Sequence, residues 1–422
     1  MKRYQDKKLL VLGGKPIGST ELVERARQLG AYVIVADYLP KESSPAKLLA
    51  DEVWDVSTAD IETLENLCRE NCVSGVLTAV HEFNINSMIA LCERLGYPCY
   101  CSRETWRFCD NKLDFKSLCI NNNIPVACKY DISIHDAESY KQLQYPVIVK
   151  PVDGSGSRGF RVCYSADELY AGYVNALQYS PGEQVIVEDY IPYDAVIIHY
   201  TMIDGKCFYS GISDKYSAQF LSSGASVMGL QTFPSKGEKQ YLQILNDSVI
   251  SMFEKAGFTD GPIWIEAFYD GNEQFIFNEM GYRFGGSLTY YPVKYFYGID
   301  QLDLMLDFAL GYKCKCLQTK RCGAVDNYCI IPVHVKPGVV SDVVGMEYVE
   351  SCSDLFAYVP VHYKGDIIEE WGSAQQVFCY LHFTYKTTVS LKKSISNLLE
   401  KFQVLDEFGN NLLFTLYNLN SL

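Results

Sequence analysis

The first eighty residues alternate short apolar runs with amphipathic stretches of about ten residues, and that alternation leaves few folds open. Lys8 to Leu12 (KLLVL) ends in Gly13-Gly14, as a buried parallel strand does. From Ser19 to Leu29, apolar side chains recur at Leu22, Val23, Ala26 and Leu29, a helical spacing closed by Gly30. Tyr32 to Ala36 predicts a second strand, and residues 52–56, 61–70 and 73–78 continue as strand, helix and strand. Strands separated by helices of this length predict a doubly wound parallel sheet.

The chain has 422 residues, enough for about three domains of roughly 150 residues each. Hydrophobic residues at 48% and charged residues at 21% describe a packed globular chain and exclude a disordered or collagen-like one. A net charge of −14 makes the surface a poor partner for nucleic acid or anionic lipid. No apolar run approaches the roughly 18 residues of a membrane span. Only Leu9 to Leu12 precede Gly13, too short an apolar core for a signal peptide. The sixteen cysteines never fall as C-x-x-C, and the closest pairs, Cys99/Cys101 and Cys314/Cys316, have no partners at zinc spacing. Reduced thiols in a cytoplasmic protein are the expectation.

Two loops at the carboxyl edge of the first sheet are candidate contacts. Gly13-Gly14-Lys15-Pro16-Ile17-Gly18 invites a dinucleotide reading with Asp37 as the ribose acid, but Lys15 stands where the middle glycine belongs. A turn that touches a small substrate is the preferred reading. His81-Glu82-Phe83-Asn84 precedes a helix running to Leu95, which makes Glu82 either a complement to the helix dipole or a substrate contact. Gly96-Tyr97-Pro98 breaks the pattern, and a domain boundary is expected between residues 100 and 110.

The middle of the chain carries the chemistry. Tyr145 to Pro151 reads as a strand presenting Lys150 at its end, followed by Gly154-Ser155-Gly156-Ser157-Arg158-Gly159. Such a loop can hold backbone N–H groups free of side-chain bulk, and a strand-terminal lysine beside it favours a phosphate site. Lys112 begins a helix ending near Asn121-Asn122-Asn123, and taken alone it is an ordinary surface lysine. Val185 to Ile191 is an apolar strand that turns acidic at Glu188-Asp189; it is either a buried strand or a segment offering backbone groups to an adenine edge. Asp270-Gly271 lies between two strand-like runs and predicts a hairpin. With an even-length loop, Glu266 and Glu279 share a face, where two carboxylates repel unless a cation lies between them. Hard oxygen ligands with room for phosphates and water suit magnesium. Arg283 follows, with a planar fork matched to a carboxylate or phosphoanion.

In order and spacing, Lys112, Lys150 with its glycine loop, Glu188-Asp189-Tyr190-Ile191, Glu266, Glu279 and Arg283-Phe284-Gly285-Gly286 resemble the ATP-grasp superfamily. Its L-amino-acid ligases and carbamoyl-phosphate-synthase-like members are the nearest in kind. The resemblance implies α/β and α+β architecture in three parts. These are a pre-ATP-grasp doubly wound parallel sheet (1–107), an ATP-grasp domain of two α+β subdomains (108–312) and a small α+β C-terminal cap (313–422). It implies that Lys112 and Lys150 neutralise the phosphates of ATP, that Gly154, Ser155, Gly156, Ser157 and Gly159 cover them, and that Glu188 and the backbone of Asp189, Tyr190 and Ile191 hold the adenine. Glu266 and Glu279 would carry Mg2+, with Mn2+ able to replace it. Arg283 and Lys215 would be catalytic, and Glu82 and Arg283 would meet substrate in a pocket lined by Asp214, Lys215, Tyr290 and Tyr291. Two positions depart from the family pattern: Gly281 stands where an Asn is usual, and Ala195 where a ribose-binding acid is usual, with Asp194 the nearest substitute.

The implied activity is an ADP-forming carboxylate–amine ligase working through an acyl phosphate, with an amino acid as one substrate. Its partners would be a small carboxylate and an amine, without nucleic acid or membrane, and a homodimer is possible. The alternatives are an ATP-grasp enzyme of nucleotide or carbamoyl metabolism and a non-catalytic ATP-binding module. A dehydrogenase on the Gly13 segment is a more distant one.

Overall fold

The computed structural model describes residues 3–15, 17–136, 138–153, 159–219, 226–313, 326–369, 374–416 and 419. Strands β1 (Lys8–Leu12), β2 (Tyr32–Ala36), β3 (Glu52–Trp54) and β4 (Gly75–Thr78) form the expected parallel sheet, in the order β3-β2-β1-β4. Residues 9–12 of the central strand and 33–36 of its neighbour are fully buried, which explains why both read as unbroken apolar runs. Helices Ser19–Gln28 and Glu82–Leu95 both start at the carboxyl edge of this sheet. The Gly13 turn is tied to its own sheet. Asp37 is buried, its Oδ2 accepting from Gly14 N at 2.7 Å and its Oδ1 from Leu39 N at 2.8 Å. A Cβ at Gly14 would lie 1.9 Å from Ser44 Oγ. The acid that a dinucleotide ribose would need is spent on the turn itself.

A three-stranded antiparallel sheet follows, with β5 (Val147–Pro151) between β6 (Arg161–Cys163) and β7 (Val185–Asp189). Facing it is a nine-stranded sheet that begins with β8 (Asp194–Ile203), β9 (Lys206–Gln219), β10 (Ser226–Phe233), β11 (Gly261–Tyr269) and β12 (Phe275–Gly281). Its order runs β12-β11-β8-β9-β10 and then continues through β13 (Asn327–Val335) to Val377–Tyr385 and Leu355–Pro360. The pairs Gln231↔Ile330, Thr232↔Cys329 and Phe233↔Tyr328 therefore join the C-terminal region to the central one by main-chain hydrogen bonds. At the other end, Tyr4 Oη donates to Asp307 Oδ1 at 2.8 Å, and Arg3 pairs with the same carboxylate. One hydrophobic core runs from the parallel sheet into the large one, from Leu10 and Val35 to Ile198, Ile265 and Phe277. Among the described residues, no helix is long and apolar enough to cross a membrane.

The β11–β12 hairpin differs from the even-length loop expected of it. The connection is 270–274, of odd length, and near the turn Tyr269 pairs with Phe275 and Ala267 with Phe277. Continued, that register would set Glu266 opposite Asn278 and turn Glu279 to the far face. A bulge at Asn278 shifts the ladder by one residue, and Glu266 pairs with Glu279 instead.

Candidate active site

Between the three-stranded and nine-stranded sheets lies a cavity of about 550 Å³, lined by Lys112, Lys150, residues 188–195, Lys215, Glu266, Asn278 and Glu279. Lys150 projects from β5, donates to Asn278 Oδ1 at 2.7 Å and forms an ion pair with Glu188. Asn278 Nδ2 in turn donates to Glu266 Oε1 at 2.9 Å, and Glu266 Oε2 is held by Lys215 from β9. Lys150, Asn278, Glu266 and Lys215 thus form one connected chain of charge and amide across the floor of the cavity.

Glu188 is only 2% exposed. Its carboxylate is shared by Lys150 and by Lys116, whose Nζ lies 2.8 Å away. Burial alone would raise the Glu188 pKa, but the two lysines hold it below the usual carboxylate range. Lys116 is 4% exposed and was not expected; its position one helical turn after Lys112, on the same face, was the available clue. Lys112 opens the helix Lys112–Asn121, which Asn111 caps by accepting from Leu113 N and Asp114 N. Burial lowers the Lys112 pKa, and the charge of Glu279 offsets part of that.

The hinge after β7 is the segment where adenine contacts are expected. Asp189 N donates to Cys128 O at 3.0 Å and Asp189 Oδ1 accepts from Tyr130 Oη. The backbone of Tyr190 and Ile191 makes no hydrogen bond to another described residue, which leaves donors and acceptors for a ring edge. Asp194 is exposed at the start of β8, and Ala195 is buried beside it on the cavity wall. Gly159 is left-handed, at φ 73°, and a Cβ there would meet Tyr179 at 2.8 Å. Gly154, Ser155, Gly156 and Ser157 lie outside the described residues, as do Cys314 and Cys316.

Glu266 and Glu279 face each other on adjacent strands. Burial would raise the Glu266 pKa, but Lys215 and Asn278 bring it below the ordinary value. Glu279 receives no hydrogen bond or ion pair from a described residue, and burial followed by the charge of Glu266 pushes its pKa up. A half-buried carboxylate with no donor among the described residues, facing a second carboxylate, suits a hard divalent cation. Among the described residues no group of three or more His, Cys, Asp or Glu is placed to hold a metal.

Beyond the carboxylates, Arg283 Nη2 donates to Glu82 Oε1 at 2.9 Å and Nη1 to Phe284 O at 2.9 Å. Glu82 starts the helix Glu82–Leu95, so this pair links the parallel sheet's carboxyl edge to the end of the β11–β12 hairpin. Its side chain is 40% exposed, against 13% for Arg283. Asp214 is instead occupied by Ser235 Oγ and by Lys236 N at 3.1 Å, and the rings of Tyr290 and Tyr291 lie tilted to each other with centres 4.5 Å apart.

Residues 111–200 match the family described as "Carbamoyl-phosphate synthase L chain, ATP binding domain". Formate-dependent phosphoribosylglycinamide formyltransferase of Sulfurisphaera tokodaii is 26% identical over 207 residues, 47% of this chain and 51% of that protein. L-arginine-specific L-amino acid ligase of Bacillus subtilis is 25% identical over 290 residues, 66% of this chain and 68% of that protein. The chain spans about half the length of most of the curated relatives it matches. Among solved structures, L-amino acid ligase from Bacillus licheniformis superposes with a TM-score of 0.73 at 17% identity, covering 96% of this chain and 99% of that one. The biotin carboxylase domain of 2-oxoglutarate carboxylase from Hydrogenobacter thermophilus superposes with a TM-score of 0.76 at 16% identity, covering 94% and 90%.

Proposed function

We propose that this chain, whose fold is that of the ATP-grasp ligases, is an ATP-dependent, ADP-forming ligase that joins a carboxylate to an amine. The observation that carries the reading is the set of groups gathered at the β11–β12 hairpin. Three lysines from neighbouring elements line a cavity with its two opposed carboxylates, and a half-buried arginine just beyond the hairpin pairs with Glu82 of the first sheet's helix.

A carboxylate is inert toward amines until one oxygen is converted into a leaving group. A carboxylate oxygen bonds to the γ-phosphorus of ATP, the bond from that phosphorus to the β–γ bridging oxygen breaks, and ADP departs. The amine nitrogen then attacks the acyl carbon and phosphate leaves. Lys112 and Lys150 neutralise the polyphosphate, Lys215 holds Glu266 ionised, and Arg283 steadies the carboxylate and the acyl phosphate. Glu266 and Glu279 would hold Mg2+, which would supply charge neutralisation on the phosphate oxygens. The backbone of Tyr190 and Ile191 holds the adenine, with Asp194 near the ribose.

Both kinds of named relative support a carboxylate acceptor, formate in one name and an amino acid in the other. The amino-acid reading is preferred because that relative matches more of the chain. A ligase of nucleotide metabolism is the second reading, favoured by the formyltransferases. Small-molecule partners, a cytoplasmic site of action and a surface too acidic for nucleic acid complete the proposal. Trapping with hydroxylamine tests it: a hydroxamate that forms only with ATP and the carboxylate supports an acyl phosphate, and ADP release without hydroxamate argues against one.

A further inference from the structure

Gly281 stands where the ATP-grasp pattern has an Asn, and the reason lies on the facing strand. Trp264 pairs with Gly281 across the hairpin, two residues from Glu266 as Gly281 is two residues from Glu279. Both positions therefore share the face of the metal pair. A Cβ at Gly281 would lie 2.3 Å from Trp264 Cε2, 2.4 Å from Cζ2 and 2.5 Å from Nε1. Gly281 is not among the glycines with positive φ, so no left-handed backbone demands glycine there. The indole, three of whose atoms would stand within 2.5 Å of that Cβ, is what excludes a side chain.

The other side of the story is Arg283. Its Cζ lies 5.1 Å from the centre of the Trp264 ring, within the range of a cation–π contact. Phe284 O and Glu82 hold the two terminal nitrogens. Arg283 Nε is closed from solvent and has no hydrogen-bond partner among the described residues. The Nε–Nη2 edge, which grips a carboxylate in bidentate fashion, is thus half used by Glu82 and half free. A long side chain keeps such an edge in one orientation only if something fixes its plane, and the indole does so.

We infer that Trp264 is a positioning residue for Arg283, and that Gly281 is the space this tryptophan needs. The chain exchanges a polar side chain beside its metal carboxylates for an aromatic floor under its anion-binding arginine. The consequence for substrate rests on the ligase reading; the geometry does not.

Peptide-mapped modification by phenylglyoxal, which needs no substrate, reads the environment of Arg283 directly. In Trp264→Leu, which fills space without a π face, Arg283 should be modified several-fold faster than in the unaltered chain. In Trp264→Phe it should stay near the original rate, and Arg25, paired with Asp303, should be unchanged in both. A Leu variant that keeps the original rate, or a Phe variant as reactive as Leu, overturns the inference. For Gly281, melting temperatures of Gly281→Ala in the native and Trp264→Ala backgrounds supply a second check. The loss should be large in the first and small in the second, and equal losses would refute the link. A failed ligase assay would leave both results standing, so the two readings fail separately.

Discussion

Glu279 stands opposite Glu266 because Asn278 is an extra residue in its strand. The bulge brings two consecutive side chains toward the same neighbour, so Asn278 bonds Glu266 while Glu279 faces it. A local irregularity of the ladder thus builds both the carboxylate pair and its link to Lys150.

Deletion of Asn278 should regularise the ladder and leave Glu279 opposite Glu266, while removing the amide that joins Lys150 to Glu266. Magnesium should still strengthen nucleotide binding measured by calorimetry, and ATP-dependent turnover should fall because Lys150 and Glu266 lose their link. Loss of the magnesium dependence would break the argument from register.

Glu279→Gln keeps the size of the side chain and removes its charge. Turnover should fall by at least about a hundredfold, as when a single preorganised electrostatic group is lost. ATP should still bind, since Lys112 and Lys150 are untouched. Turnover at the original level would remove Glu279 from the metal site.

Lys116→Met leaves Glu188 buried with one lysine. Breaking a buried pair costs about 3 kcal/mol, so melting temperature should drop and ATP affinity should weaken because Lys150 is drawn further toward Glu188. Lys150→Ala should weaken ATP binding more than it lowers stability. Unchanged affinity in Lys150→Ala would refute its phosphate role.

Glu82→Ala should raise KM for the carboxylate or the amine and leave KM for ATP unaltered, because Glu82 contacts Arg283 and not the nucleotide cavity. An effect confined to ATP would contradict that placement.

His199 is buried against Phe233, and burial lowers its pKa to about 3 from an ordinary 6.5. Below pH 6.5 the unfolded chain binds a proton that the folded chain refuses. Stability from this group is therefore whole above pH 6.5 and is lost as pH falls toward 3, at about 1.4 kcal/mol per unit. Denaturant melts of His199→Phe should show a shallower decline between pH 6.5 and 5 than the unaltered chain; parallel declines would contradict the assignment.

Features encoded by neighbours in sequence were legible there. The parallel sheet announced itself through β1 and β2, and Lys150 through its place at a strand end. The facing of Glu266 and Glu279 was read from an even loop, yet it arises from an odd loop and a bulge that no Gly or Pro marks. Contacts across long separations were invisible: Lys116 with Glu188, Trp264 over Gly281, and Asp37 turned back on Gly14. The continuation of the central sheet into β13 was equally hidden, because main-chain pairing leaves little trace in either strand alone.

The most direct test of the central claim is release of phosphate from ATP across a matrix of amino acids and amines, with ADP and AMP measured separately. The account predicts magnesium-dependent release of ADP and phosphate that requires a carboxylate and an amine together, and that is lost in Glu279→Gln. Formation of AMP, or ADP release indifferent to both substrates and to Glu279, would contradict it.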